Sequence, residues 1–206
     1  MDAKDPYTHG HSFRVAKYAM AIARKLELSD DDISELEIAG YMHDLGKIGV
    51  PEEVLRKPGK LTEEEFEAIK RHPEYTGKIL EPINLPEFIV NTALHHHERL
   101  DGSGYPFGLS GDEISFTARI VAVADVFDAL TSDRPYRSAM PVEKALSIIC
   151  NGIDIEFDRN VVKALIDLIK EGMVIKEIGN VYRNLKFEDI QNLNQFLLSL
   201  TEQLIK

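Results

Sequence analysis

The sequence has few of the features that mark secreted or membrane-spanning proteins. It contains a single cysteine, Cys150, which excludes an internal disulfide and suggests a reducing compartment. No apolar run approaches the roughly 18 residues of a membrane helix, and the first residues, MDAKDPY, do not resemble a signal peptide. We therefore expect a cytoplasmic protein that does not enter a membrane.

Positive charge is also scarce. The chain has 24 Lys and Arg against 35 Asp and Glu, which gives a formal net charge of −11. This balance argues against non-specific binding to DNA or RNA, so an anionic substrate must meet a locally positive site. The 206 residues, of which 44% are hydrophobic, suffice for one large domain or for one domain with an appendage.

Histidine is absent from the second half of the chain, because all seven histidines lie in the first 97 residues. Most of them occur in distinctive surroundings: HGHSFRV, MHDLGK, RHPEYTG and HHERLDGSGYP. A lone acid, Asp125, interrupts the apolar run ARIVAVADVFDAL. Imidazoles and carboxylates gathered from several helices are what a two-metal hydrolytic centre requires. The pattern therefore indicates a metal site, whereas histidines used as filler would be scattered.

Periodicity and capping residues predict an almost entirely helical chain. Predicted helix starts are Thr8, Ser29, Thr62, Pro73, Pro86, residue 114, Pro141 and Asp158. The first helix is predicted to run to about Leu28, and the second to Gly46. Residues 101–112, with four glycines and a proline, are predicted to form a loop.

The character of the sequence changes after Gly172. The segment MVIKEIGNVYRN is predicted to be a loop or short strands, and a helix is predicted from Phe187. That helix carries apolar residues alternately three and four positions apart, from Ile190 to Leu204. Such a stripe either packs against its own domain or forms the seam of a homodimer.

The motifs resemble those of the HD-GYP family, a branch of the HD-domain metal phosphohydrolases. The resemblance depends on HDLGK, on HHE followed by DGSGYP, and on ADVFDALTSDRPYR, and it covers roughly residues 5 to 170. The long HHExxDGxGYP pattern is far more specific than a bare His-Asp pair. The resemblance implies an all-α, HD-domain-like helical bundle, with the catalytic domain at 1–172 and a C-terminal helical extension at 173–206.

The same resemblance implies a metal-dependent phosphodiesterase. The expected substrate is cyclic di-GMP, opened to the linear 5′-phosphorylated dinucleotide by attack of a hydroxide that bridges two metals. The reaction either stops there or continues to GMP. The family resemblance also implies diguanylate cyclase domains as partners. The chain resembles either a free-standing catalytic domain or a fragment of a longer protein.

A binuclear centre is the cofactor that the resemblance implies. Asp44 is expected to bridge the two ions. The implied ligands of one ion are His11, His43, Asp44 and Asp125. The implied ligands of the other are Asp44, His72, His96 and His97. This mixed set suits iron or manganese best, and zinc next.

Four further positions qualify this interpretation. Some family members bind a third metal through a glutamate at the position of Tyr7, so we expect two metals here. His9 and His95 are expected not to be ligands. The alternative to a metal at Asp125 is an ion pair with Arg119 or another arginine.

Four residues are candidate substrate contacts. Lys47 lies three and four positions beyond the His-Asp pair, so on a continued helix its ammonium would share their side and could hold a phosphate. Asp44 and Lys47 are the catalytic candidates. Tyr105 could stack on a base or bond a phosphate, or else hold the loop to the domain. Arg134 and Arg137 match substrate-contacting positions of the family. The alternative interpretation is that they are ordinary surface arginines.

Other functions are compatible with the same residues. A related HD-domain enzyme could hydrolyse mononucleotides or another cyclic dinucleotide, although the GYP loop argues against mononucleotides. A mixed-valent di-iron oxygenase could use the same ligands. The domain could also bind cyclic di-GMP, or dock partner proteins, without turnover.

Overall fold

The computed structural model describes residues 10–133, 138–171 and Ser199. These residues form nine α-helices: α1 (His11–Lys25), α2 (Asp30–Met42), α3 (Glu52–Leu55), α4 (Glu63–Lys70), α5 (His72–Leu80), α6 (Glu87–His95), α7 (Phe116–Thr131), α8 (Val142–Asn151) and α9 (Arg159–Lys170). Short 3-10 helices span Leu45–Gly49, Glu81–Ile83 and Gly111–Glu113. The described residues contain isolated bridges but no strand, so the predicted all-α fold is confirmed.

An apolar cluster to which α1, α7, α8 and α9 all contribute holds the bundle together. The buried rings of Tyr18 and Phe127 meet edge to face across it, with centroids 5.1 Å apart. Burying side chains of this size contributes about 1.5–3 kcal/mol each. Two polar side chains lie beside this apolar cluster: that of His11, the first residue of α1, and that of Asp125, in the middle of α7. Their Nε2 and Oδ1 atoms are 3.2 Å apart.

Several predicted helix starts are confirmed by their caps. The Ser29 hydroxyl accepts the backbone N–H of Asp32, and the Asp158 carboxylate accepts those of Asn160 and Val161. Thr62 and Glu65 form a reciprocal capping box. These side chains satisfy amide groups that have no partner within the first turn of a helix.

Two predicted helix boundaries are wrong. The first helix ends at Lys25 and not near Leu28, because Glu27 adopts a left-handed backbone conformation (φ 60°) that turns the chain. It begins at His11, after Gly10, while Thr8 lies outside the described residues.

The second helix ends at Met42, four residues before the predicted end at Gly46. The chain turns there because Gly46 packs against α5: a Cβ at this position would lie 1.9 Å from the carbonyl oxygen of His72. The Gly46 amide donates to the Thr76 hydroxyl at 2.8 Å, and not to the helix. The turn brings the His43-Asp44 pair against the start of α5.

The helix α2 approaches α1 closely at Gly40. A Cβ at Gly40 would lie only 2.8 Å from the Cα of Ala16, so these two helices cross where their side chains are smallest. This crossing brings His11 and His43 near one another, with ring centroids 5.4 Å apart.

Other predictions lie outside the described residues. These are the positions of Tyr7, His9, Arg134 and Arg137, and the loop and amphipathic helix predicted for residues 173–206, except for Ser199. The domain boundary at residue 172 and the homodimer seam therefore stay predictions. Among the described helices, none has the length and apolar character needed to cross a membrane.

Candidate metal centre

The predicted metal ligands converge from five parts of the chain into one buried cluster. They lie at the start of α1, directly after α2, at the start of α5, directly after α6 and in the middle of α7. These residues, called the His/Asp cluster below, are His11, His43, Asp44, His72, His96, His97 and Asp125. His43, His72 and His96 are completely buried.

The cluster consists of two adjoining groups whose ligand atoms lie within 4.8 Å of one another in each group. One group is Asp44, His72, His96 and His97; the other is His11, His43 and Asp125. Asp44 connects them: its Oδ1 lies 3.3 Å from His72 Nε2, while its Oδ2 lies 3.6 Å from His11 Nε2 and 3.5 Å from His43 Nε2. Its two oxygens thus face different groups, as a bridging carboxylate requires.

Three of the imidazoles are oriented by the same local contact. The Nδ1 atoms of His43, His72 and His96 each lie 2.7 Å from the backbone carbonyl oxygen three residues earlier. Carbonyls at the end of a helix lack a partner within the helix and can accept such a bond. The contact assigns the proton to Nδ1 and leaves Nε2 directed into the cluster.

The chemistry of this cluster fits a bound metal. His43 Nε2 is a buried nitrogen with no hydrogen-bond partner among the described residues. A buried polar atom without a partner costs free energy, and a cation is one of the partners a neutral imidazole can take. Nitrogen and carboxylate donors in this ratio suit first-row transition metals.

Asp125 lies inside the His/Asp cluster. Its Oδ1 is 3.2 Å from His11 Nε2, and its Oδ2 is 3.9 Å from His97 Nδ1. The alternative ion pair with Arg119 is wrong, because the Arg119 guanidinium bonds Asp158, Asp112 and the Gly111 carbonyl instead.

Protonation in the cluster follows from burial and neighbouring charge. Burial lowers the pKa of His72 to about 4 and that of His97 to about 3, so both are neutral at pH 7. Burial also opposes charge on His11, but hydrogen bonds to Asp125 and Asp128 outweigh it and raise its pKa to about 9. Cation binding through His11 Nε2 must therefore release a proton.

Asp44 is ionised although burial disfavours its charge, because the Lys47 ammonium and His43 hold its pKa well below the usual value. Lys47 Nζ lies 2.6 Å from Asp44 Oδ2. Lys47 shares the side of Asp44 as predicted, but through a 3-10 helix, in which side chains three residues apart are aligned.

The glycine-rich loop covers one side of the cluster. The centroids of the Tyr105 and His97 rings lie 4.7 Å apart, at an interplanar angle of 30°. The backbone N–H of Tyr105 donates to the His97 carbonyl at 3.2 Å. Gly104 makes this possible, since a Cβ there would lie 2.5 Å from the Cα of Glu98. Burial raises the pKa of the Tyr105 hydroxyl, so it stays protonated.

Three buried residues that were not predicted hold the cluster in place. Thr76 donates its hydroxyl to the His43 carbonyl at 3.1 Å. The Glu98 carboxylate accepts hydrogen bonds from the backbone N–H groups of Phe107 and Leu109. The Asp128 carboxylate accepts a hydrogen bond from His11 Nδ1 at 2.7 Å. Asp128 had a signal in the sequence, because it lies three residues after Asp125 in the same apolar helix and so shares its face.

His95 lies outside both groups, as expected for a residue that is not a ligand. It is half-buried, and its ring packs edge to face against Phe107 with centroids 5.7 Å apart. Arg134 and Arg137 lie outside the described residues, so their predicted contacts with substrate stay predictions.

This fold and this buried His/Asp cluster define a class of protein. Residues 1–161 match the family described as HD domain, and the chain belongs to that family. HD-domain phosphodiesterases are metal-dependent, in agreement with the donor chemistry of the cluster.

Comparison with individual proteins confirms the HD-GYP resemblance. The chain is 48% identical over 165 residues to 3′3′-cGAMP-specific phosphodiesterase 3 of Vibrio cholerae, covering 80% of this chain and 36% of that protein. It is 43% identical over 188 residues to a cyclic di-GMP phosphodiesterase of Thermotoga maritima, covering 90% of this chain and 50% of that protein. The chain thus spans half or less of the length of these relatives.

A solved structure supports the fold. The HDG"Y"P protein from Bdellovibrio bacteriovorus superposes with a TM-score of 0.64 at 20% identity, over 78% of this chain and 51% of that one. At this identity the likeness concerns the helical architecture alone.

Proposed function

We propose that this chain is the catalytic domain of a metal-dependent phosphodiesterase that hydrolyses cyclic di-GMP. The observation that carries the proposal is the pair of adjoining ligand groups that the two oxygens of Asp44 connect. Relatives named as cyclic di-GMP and 3′3′-cGAMP phosphodiesterases supply the substrate class.

The proposed cofactor is a pair of divalent ions, iron or manganese in preference to zinc. The residues of one site are His11, His43, Asp44 and Asp125. Those of the other are Asp44, His72, His96 and His97. Five neutral imidazoles and two carboxylates leave two such ions with a net charge near +2, which suits a phosphodiester. When bound, the ions lower the pKa of a water molecule and stabilise negative charge on the phosphate.

The chain's own residues then bind and orient the substrate. Lys47, whose Nζ contacts Asp44 at the edge of the cluster, would hold a non-bridging phosphate oxygen. Tyr105, whose ring lies against His97, would stack on a base or bond a phosphate. Arg134 and Arg137 are proposed contacts to phosphate or guanine.

The reaction adds water across one phosphodiester. A water molecule gives up a proton and its oxygen attacks phosphorus in line with the 3′-oxygen. The P–O3′ bond breaks, and the leaving 3′-oxygen takes up a proton, so that one water is consumed. The product is the linear dinucleotide with a 5′-phosphate, and a second cleavage would give GMP. The catalytic roles of Asp44 and Lys47 are to bind the cations and to neutralise charge on phosphate.

A second candidate substrate is 3′3′-cGAMP. The observation that favours it is the 48% identity to the Vibrio cholerae enzyme named for that nucleotide. Both substrates present the same phosphodiester to the cluster, so only their bases distinguish them.

Turnover by the purified chain tests the proposed function. The chain is loaded anaerobically with Fe(II) or Mn(II), incubated with cyclic di-GMP or 3′3′-cGAMP, and the products are separated by chromatography. We expect the linear dinucleotide, and we expect His43→Ala to lower the rate by more than about 100-fold because it removes a proposed ligand.

His95→Ala is the matched control, since His95 is the adjacent histidine that lies outside the His/Asp cluster. It should keep the original rate. Intact substrate in the presence of two bound metals would contradict hydrolysis, and a measured affinity for the nucleotide would then assign the domain a binding role.

A further inference from the structure

Asp128 is a buried acid that no step of the proposed reaction uses. It lies on α7 three residues after Asp125 and is 1% exposed. Its carboxylate accepts hydrogen bonds from three side chains: from His11 Nδ1 at 2.7 Å, from Arg14 Nε and Nη2 at 2.6 and 3.0 Å, and from Ser132 Oγ at 3.2 Å. A side chain bonded on every side in this way has little freedom to reorient.

His11 differs from the other imidazoles in how it is oriented. His43, His72 and His96 each bond a backbone carbonyl three residues earlier, a contact built into the local chain. His11 is the first residue of its helix and instead bonds Asp128, which is 117 positions away in the sequence. Its orientation therefore depends on a side chain from another helix.

The contact with Asp128 determines which nitrogen of His11 faces the cluster. Because the Asp128 carboxylate accepts a hydrogen bond from Nδ1–H, it is Nε2 that lies 3.2 Å from Asp125 Oδ1 and 3.6 Å from Asp44 Oδ2. A histidine that binds a metal characteristically donates its other ring N–H to a carboxylate or a carbonyl, which fixes the ring and the tautomer.

Arg14 offsets the free-energy cost of burying the Asp128 carboxylate. Its guanidinium bonds both oxygens of Asp128, and it lies one helical turn after His11 on the same face of α1. The two residues of α1 thus contact a single acid on α7. Removing only the acid would leave the Arg14 charge without this partner and His11 without its orienting bond.

We infer that Asp128 is a positioning residue of the proposed metal centre, holding His11 Nε2 towards Asp44 and Asp125 while Arg14 balances its charge. The inference relies on the proposed function in one respect only, namely that the His/Asp cluster binds divalent cations. It predicts that loss of Asp128 weakens the site made by His11, His43 and Asp125 and spares the site made by His72, His96 and His97.

Mn(II) binding measures this effect without any substrate. Free Mn(II) is followed by electron paramagnetic resonance during titration of the EDTA-treated protein. The unchanged chain should bind two ions, and Asp128→Ala should weaken one of them by about 10- to 100-fold. Asp128→Asn should give a smaller loss, because its amide oxygen can still accept His11 Nδ1–H. Ser132→Ala removes a bond to the same carboxylate without touching His11 and should bind both ions normally.

A second readout follows the ring itself. In protein labelled with ¹⁵N-histidine and stripped of metal, Asp128→Ala should change the nitrogen resonances of His11 and leave those of His72 and His96 in place. If Asp128→Ala does not fold, as judged by circular dichroism, Asp128→Asn should change the same His11 resonances by a smaller amount, because a neutral amide replaces the carboxylate that accepts Nδ1–H.

The outcomes separate the two proposals. If the unchanged chain binds no Mn(II), the proposed function fails. If it binds two ions and both Asp128 variants bind them equally well, Asp128 is not a positioning residue. Equal weakening of both ions would also overturn the inference, since it would indicate a general structural role.

Discussion

At the scale of single residues, three imidazoles of the cluster are oriented by contacts with backbone carbonyls. His43, His72 and His96 stand at helix ends, where an imidazole reaches the carbonyl three residues before it. One short local geometry therefore directs three Nε2 atoms to the same place. His11 and Asp125 reach that place from two other helices, so the full set needs the tertiary fold.

Lys47 is the residue whose role is easiest to separate from metal binding. Lys47→Ala removes the ammonium that lies 2.6 Å from Asp44 and is proposed to hold phosphate. We expect kcat to fall by about 100- to 1,000-fold, because charge on the phosphate loses a donor in the transition state. Bound Mn(II), measured by elemental analysis on the same sample, should stay at the original level.

Lys57→Ala provides the control for that variant. Lys57 also pairs with a carboxylate at 2.6 Å, that of Glu65, but it lies outside the cluster. It should change neither the rate nor the metal content. A Lys47→Ala protein that loses its metal would contradict the phosphate role and indicate that Lys47 supports the fold of the site.

Residue types predicted a metal site, and the resemblance to the HD-GYP motifs predicted which seven residues form the cluster. They did not predict Thr76, Glu98 or Asp128, because the contacts of these residues depend on tertiary neighbours. A buried acid can be recognised in an apolar helix, but its partner 117 positions away cannot be found from one sequence.

At the scale of elements, the helix starts with a capping side chain were predictable and two helix ends were not. A capping side chain lies next to the amides that it satisfies, so Ser29, Thr62 and Asp158 could be identified from short patterns. The end of α2 depends on a contact between Gly46 and the backbone of α5, which lies about 26 to 30 residues further along the chain. A local pattern cannot contain that information.

Glu98 is the residue that attaches the glycine-rich loop to the cluster. Its buried carboxylate accepts the N–H of Phe107 at 2.7 Å and that of Leu109 at 3.1 Å. Glu98→Gln would replace one acceptor by an NH₂ group that faces another donor, at a cost of about 1–3 kcal/mol. We expect the loop and Tyr105 to lose their fixed position, so KM for the cyclic dinucleotide should rise about tenfold with a smaller change in kcat and in bound Mn(II).

Glu113→Gln tests whether this effect is specific to Glu98. Glu113 also accepts a backbone N–H, that of Ser110 at 3.0 Å, but it does so at the exposed end of the same loop. Its KM should stay near the original value. Equal effects of the two variants would argue against a special role for Glu98, and a selective loss of kcat would argue against the loop as a binding element.

At the scale of the whole molecule, apolar packing and the polar cluster occupy different parts of the same bundle. The apolar cluster fixes α1, α7, α8 and α9, while the His/Asp cluster lies where α1 and α7 meet the ends of α2 and α6 and the start of α5. Rigid helices can therefore hold many nitrogen and oxygen atoms close together. The helical class could be predicted from periodicity, whereas the arrangement of helices came from the family resemblance.

Net charge acts at the scale of the whole molecule, where it affects how an anionic substrate approaches. A chain with a formal charge of −11 repels a phosphodiester at a distance, so attraction must come from a small region. Two bound divalent ions with Lys47 beside them would supply that region, and a single ion would leave the buried Asp44 and Asp125 carboxylates with less compensation.

The central claim is that the two groups connected by Asp44 bind two metal ions. Anomalous diffraction from crystals of the Mn(II)-loaded chain, recorded on both sides of the manganese absorption edge, tests it most directly. The account predicts two peaks about 3.5–4 Å apart, on either side of Asp44. One peak should lie beside His11, His43 and Asp125, and the other beside His72, His96 and His97. A single peak, a third peak at full occupancy, or manganese bound away from Asp44 would contradict it.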